Sequence, residues 1–79
     1  MNKVIITVVG KDTVGIIARV CTYLAENKIN ILDISQTIVS GYFNMMMITD
    51  MENASVDFEK TVEDLDALGD LILLEIISG

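Results

Sequence analysis

The chain contains no histidine and no proline, and Cys21 is its only cysteine. Without histidine the usual Ser-His and Cys-His nucleophilic pairs cannot be assembled. A lone thiol excludes an intrachain disulfide and cannot build a structural zinc site by itself. With no proline and no low-complexity stretch there is no linker, so residues 1–79 read as one domain. Basic residues are also scarce, five against twelve acidic ones, for a formal net charge of −7. Lys3, Lys11, Arg19, Lys28 and Lys60 are dispersed. No basic stripe exists to displace counterions from phosphates, which argues against nucleic acid as a partner.

Long hydrophobic runs are absent too. None approaches the ~20 residues of a membrane helix, and the apolar stretch Val4–Val9 is too short for a signal-peptide core. No membrane partner is expected, and one free thiol without an export signal points to a reducing cytoplasm. Yet the sequence is 52% hydrophobic with a mean hydropathy of +0.56. A domain of this size buries only ~60% of its unfolded surface, so small folds compensate with disulfides, metals or oligomers. With the first two excluded, a homo-oligomer is expected, a dimer first of all.

Six segments separate along the chain. Lys3–Val9 is β-branched and apolar on both faces, the pattern of a central strand. Gly10-Lys11-Asp12-Thr13 turns into a helix over Val14 to Asn27, with Asp12 or Thr13 as N-cap. Ile17, Val20 or Cys21, and Leu24 form its apolar stripe; Arg19, Thr22 and Glu26 fall on the wet side. Asn27 and Lys28 can close it, Asn tolerating a left-handed cap. Ile31–Val39 is a second strand, with Leu32, Ile34 and Ile38 alternating against Asp33, Ser35 and Thr37. Ser40-Gly41 is a two-residue hairpin signal, and Tyr42–Thr49 returns as a third strand. Phe58, Val62, Leu65 and Leu68 mark a second helix with Glu59, Glu63, Asp64 and Asp66 opposite, stopped by Gly69. Leu71–Ile77 is the fourth strand.

The order β-α-β-β-α-β predicts an α+β, ferredoxin-like domain: a four-stranded antiparallel sheet with both helices on one face. The other face would still carry Ile5 or Val4, alternate methionines and half of strand four. So apolar an open face is expected to be a subunit contact.

The chemical inventory is thin. Cys21 lies on or beside the buried stripe and reads as a small core residue. No phosphate loop or dinucleotide fingerprint is present, and no cofactor is expected. The acidic helix lacks the alternating loop spacing of a calcium site. In Met45-Met46-Met47 the middle thioether points away from its neighbours, which favours packing over soft-metal binding. No metal ligands and no catalytic residues are assigned. An acylphosphatase, which shares this topology, relies on an arginine in its phosphate loop, whereas Arg19 lies inside the first helix.

One constellation remains: Gly10-Lys11-Asp12-Thr13-Val14-Gly15, with Asn30 across the helix from it. Amides at a helix N-terminus favour an anion, Asp12 could receive an ammonium group, and Gly15 would allow close approach. Together these are the requirements of an amino-acid site. The plainer reading has Asp12 capping the helix, Gly15 permitting tight packing and Asn30 merely opening a strand.

Asp12 through Val20, followed by Leu24-Ala25-Glu26-Asn27-Lys28-Ile29-Asn30-Ile31, resembles the signature of the ACT domain family. Val8-Val9-Gly10-Lys11-Asp12 with Ile31 through Thr37 is similar to small single-ACT proteins of bacteria and archaea. The resemblance runs from Lys3 to about Ile77. It departs at Val14, where the family commonly has proline, and in relatives that continue beyond the last strand. It implies a ligand-sensing regulatory module, often for amino acids, whose sheets pair edge to edge or face to face. It also implies a ligand at a subunit interface, between the first strand–helix loop and the start of strand two. That implicates Asp12, Gly15 and Asn30, flanked by Gly10, Lys11, Thr13 and Ile31. An unidentified regulated protein would be a further partner. An adaptor module that lends a surface without its own ligand is the other reading.

Overall fold

The computed structural model describes residues 3–11, 13–68 and 71–77. Its elements follow the expected order: β1 (Lys3–Gly10), α1 (Thr13–Glu26), β2 (Asn30–Val39), β3 (Tyr42–Asp50), α2 (Phe58–Asp66) and β4 (Leu71–Ile77). The sheet order is β2-β3-β1-β4, and every pairing is antiparallel. This is the ferredoxin-like arrangement, with β1 central as its two-faced apolar sequence requires. Asp12 and Gly69, expected as a helix cap and a helix stop, lie outside the described residues.

Strand parity decides the core. Val4, Ile6 and Val8 of β1 and Phe43, Met45 and Met47 of β3 turn to one face and are buried. Ile16, Val20 and Leu24 of α1, Leu65 of α2, Ile72 of β4 and the loop residues Ile29 and Met51 complete the cluster. Val20 and Leu24 are buried as expected, but at the start of the stripe Ile16 is fully buried in place of Ile17, which is only partly so. Cys21 is half-buried beside it. On α2, Thr61 takes the buried position expected of Val62, which is exposed. A threonine is tolerated there because its hydroxyl donates to the Asp57 carbonyl at 2.8 Å. Thr49 is buried in the same manner, its hydroxyl donating to the Val4 carbonyl at 2.8 Å.

Both helix boundaries have identifiable chemistry. Asp57 caps α2, its carboxylate accepting from the Lys60 amide at 2.8 Å. At the end of α1, Ile29 N donates to Leu24 O and Lys28 N to Ala25 O, a Schellman closure. The left-handed residue in it is Lys28, at φ 58°, and not Asn27 as the sequence suggested. Asn27 instead closes the turn by donating its side-chain amide to Tyr23 O at 2.9 Å.

The largest departure from expectation concerns β2. All ten of its residues are exposed, including Ile34 and Ile38, and it forms an edge of the sheet. A register shift between Ile31 and Asp33 leaves Leu32 as an extra residue, which breaks the simple alternation read from the sequence. On the open face Met46 is exposed while Ile5, Val9 and Ile48 are half-buried. Among the described residues, exposed large apolar side chains gather along β2, at Ile31, Leu32, Ile34, Ile38 and Val39.

Candidate functional site

Two short segments were singled out by the sequence, and the fold sets them apart. Gly10 ends β1 and pairs with Phe43, which in turn pairs with Ile38, so the β1–α1 loop sits at the hairpin end of the sheet. Asn30 pairs with Asp50, and Asp50 with Lys3, at the far end. Seven strand steps separate the two ends, roughly 23 Å at ~3.3 Å per residue. Gly10, Lys11, Thr13 and Gly15 thus lie together, Asn30 and Ile31 lie together, and one chain does not join the two groups. Asp12 lies outside the described residues.

The hairpin end is built by a tight turn. Ser40 at φ 51° and Gly41 at φ 80° give both central residues positive φ, the geometry whose twist matches a two-residue β-hairpin. This brings Tyr42 beside the β1–α1 loop. The Lys11 ammonium lies 5.3 Å from the centroid of the Tyr42 ring, a cation–π contact. Tyr42 is on the face away from the helices, so Lys11 is drawn to that face rather than over the start of α1. Gly15 falls in the first turn of α1, next to an exposed Val14. Sequence reasoning missed Tyr42. The available signal was an aromatic residue immediately after the hairpin glycine, at the end of the sheet where β1 also ends.

The Asn30 end is set by the α1 closure. With Lys28 left-handed, Ile29 folds back as a buried plug under Leu24, and Asn30 emerges exposed as the first residue of β2. Asp50, its register partner, uses a carboxylate oxygen to accept from the Glu52 amide at 2.9 Å. Towards the hairpin end, a hollow of about 370 Å³ lined by Gln36, Thr37, Ile38 and Phe43 opens on the edge strand. Among the described residues no group of His, Cys, Asp or Glu is disposed to hold a metal ion. No helix there is long and apolar enough to cross a membrane.

Comparison with known proteins now decides the family. The ACT domain model matches residues 4–70. The chain belongs to the ACT domain family. A UPF0237 protein from Bifidobacterium longum is 66% identical over 76 residues, covering 96% of this chain and 84% of the relative. An ACT domain protein from Streptococcus pneumoniae superposes with a TM-score of 0.77 at 39% identity, over 95% of this chain and 89% of that one. A formyltetrahydrofolate deformylase from Pseudomonas syringae superposes at 0.79 over 96% of this chain but only 28% of its own. At 21% identity that likeness concerns the fold alone. ACT domains are commonly regulatory, ligand-binding modules rather than catalytic ones.

Proposed function

We propose that this ACT domain senses a small ligand, an amino acid, at an interface between two copies of the chain and signals to a partner protein. The observation that carries the reading is the separation of the site's two halves along an uncovered strand. The loop bearing Gly10, Lys11 and Gly15 sits at one end of β2, and Asn30 and Ile31 sit at the other. A second copy laid antiparallel along β2 would set its Asn30 end against the first copy's loop end, and the reverse. Two equivalent composite sites would result, each built from the β1–α1 loop of one chain and the Asn30 end of the other.

Ligand would then act by linkage. Anything that binds the paired state better than the single chain favours pairing by its differential affinity. Calorimetric titration of the chain with each of the twenty amino acids tests this. Saturable heat with at least one of them, accompanied by a rise in melting temperature, is expected. Absence of both at millimolar concentration would contradict it.

The adaptor reading draws on the exposed acidic side chains of α2, Glu59, Glu63 and Asp66, which offer a surface to a cationic partner. It predicts that Asn30→Ala leaves partner capture intact, whereas the sensing reading predicts that ligand response is lost.

A further inference from the structure

The two helices present crests of opposite kind to solvent. On α1 only Arg19 and Glu26 are charged among its 14 residues. Ala18, Thr22 and Ala25, at i, i+4 and i+7, form an exposed stripe of small uncharged side chains, on the side away from buried Ile16, Val20 and Leu24. The outer face of a surface helix ordinarily carries charge, and here it is a smooth ridge that lets another chain approach closely. On α2 the same spacing gives the reverse. Glu59, Glu63 and Asp66 form an exposed acidic stripe.

Helix stability does not account for that acidic stripe. Glu63 and Asp66 stand in the last turn of α2, beside the negative end of its macrodipole, and no basic residue shares that turn. Lys60, the only basic residue of the helix, is held by Asp64 at 3.0 Å. The charges thus oppose the helix that carries them, and cations from outside would relieve them.

Between the two crests lies a hollow of about 360 Å³, lined by Ala18, Arg19, Thr22, Tyr23 and Glu26 of α1 and by Leu68 just beyond α2. The helices run antiparallel, since they follow the antiparallel strands β1 and β3, and the hydrogen bond from Tyr23 to Asp64 ties them. Packed helix axes lie ~8–10 Å apart, so a third helix seated in the hollow touches both crests. Ala18, Thr22, Tyr23 and Leu68 would receive its apolar side. Arg19 shares the hollow, but Glu26, Glu59, Glu63, Asp64 and Asp66 outnumber Arg19 and Lys60 around it. An apolar seat with a negative border fits one kind of occupant.

We infer that this helix face docks a basic amphipathic helix of a partner protein. Its apolar side lies over Ala18, Thr22 and Leu68, and its lysines or arginines lie over Glu59, Glu63 and Asp66. This rests on the reading, common to sensor and adaptor, that the domain works through a partner protein, and it supplies that partner's chemistry. The acidic border steers and orients the helix, while the apolar seat separates an amphipathic helix from any other polycation.

Titration of the isotope-labelled chain with a synthetic helix of leucine, alanine and lysine tests this by NMR. The peptide carries leucines at i, i+4 and i+7 with lysines on one flank; a scrambled peptide of the same composition has no apolar face. The first should bind saturably, with amide shifts centred on residues 18–26 and 59–68, and roughly tenfold more tightly than the second. Glu59→Gln combined with Glu63→Gln should weaken it roughly fivefold, and Thr22→Arg, which puts a cation in the apolar seat, roughly tenfold. All three positions are exposed, so the variants keep the fold. Equal binding of the two peptides would reduce the effect to charge and overturn the docking site. Shifts centred on β2 or the open sheet face, or no binding at all, would overturn it too. Without peptide, a heavier species in sedimentation equilibrium that Thr22→Arg disperses would make a second copy the occupant and overturn the choice of partner. No amino acid is added, so failure here leaves the sensing titration standing, and the reverse.

Discussion

The Tyr23 hydroxyl donates to the Asp64 carboxylate at 2.7 Å, tying α1 to α2 across forty-one residues of sequence. The same carboxylate takes the Lys60 ammonium at 3.0 Å, one turn back on α2. Asp64 was expected simply to face solvent with the other acids of that helix; it is half-buried because it completes this contact. Partial burial of the phenol, then the hydrogen bond to Asp64, push the Tyr23 pKa up to about 12. The hydrogen bond from Tyr23, then that from Lys60, hold Asp64 below the usual carboxylate range.

Removing the tie should destabilise the domain. Tyr23→Phe is expected to cost about 1 kcal/mol, a fall of roughly 4–8 °C in melting temperature for a domain of this size. The pH dependence has two limbs. Tyr23, raised in the fold, contributes stability fully below pH 10 and loses it as pH rises through about 12. Asp64, lowered in the fold, contributes fully above the ordinary carboxylate range and loses it as pH falls through the folded value. Tyrosinate absorbance appearing near pH 12 in the parent chain and missing from Tyr23→Phe would check the assignment.

Lys28 adopts a left-handed conformation at the end of α1, where a side chain is a liability. Lys28→Gly should therefore stabilise the chain by about 0.5–1 kcal/mol, read as a higher denaturant midpoint with an unchanged slope. Because the Schellman closure sets where Asn30 emerges, the substitution should leave ligand response intact.

The hairpin makes a third prediction. Ser40 and Gly41 both have positive φ, and the preferred pair for that turn is Asn-Gly. Ser40→Asn should raise the melting temperature slightly. Gly41→Val should lower it by more than 1 kcal/mol equivalent, even though nothing lies within 4 Å of an added Cβ, because the strain is in the backbone. Thermal melts of the two variants separate backbone strain from crowding.

Much of this fold was legible in the sequence because the signals were local. Periodicity located six elements, and Ser40-Gly41 announced its turn. The misreadings share one cause: they depend on what lies across space. Thr61 passes for a surface residue until the Asp57 carbonyl is seen to accept its hydroxyl. Ile34 and Ile38 read as one apolar face of a strand, and alternation cannot reveal that β2 is an edge on which both are exposed. The candidate site divides likewise. Its residue types could be named from the motif, but parallel β1 and β2 put the loop and Asn30 at opposite ends, a consequence of topology that no local pattern carries. Tyr42 was missed because only the hairpin brings it beneath Lys11.

The central claim is that one amino-acid site is shared between two chains, and subunit complementation tests it most directly. Asp12→Ala and Asn30→Ala are prepared separately, and each is titrated with the amino acid that the parent chain binds. Alone, neither variant should bind, since both sites of each pair lack a half. Mixed, they should recover binding, because a mixed pair contains one intact site built from the loop of one chain and the Asn30 of the other. Undiminished binding by either variant alone, or a mixture as silent as its components while pairing is retained, would contradict the account.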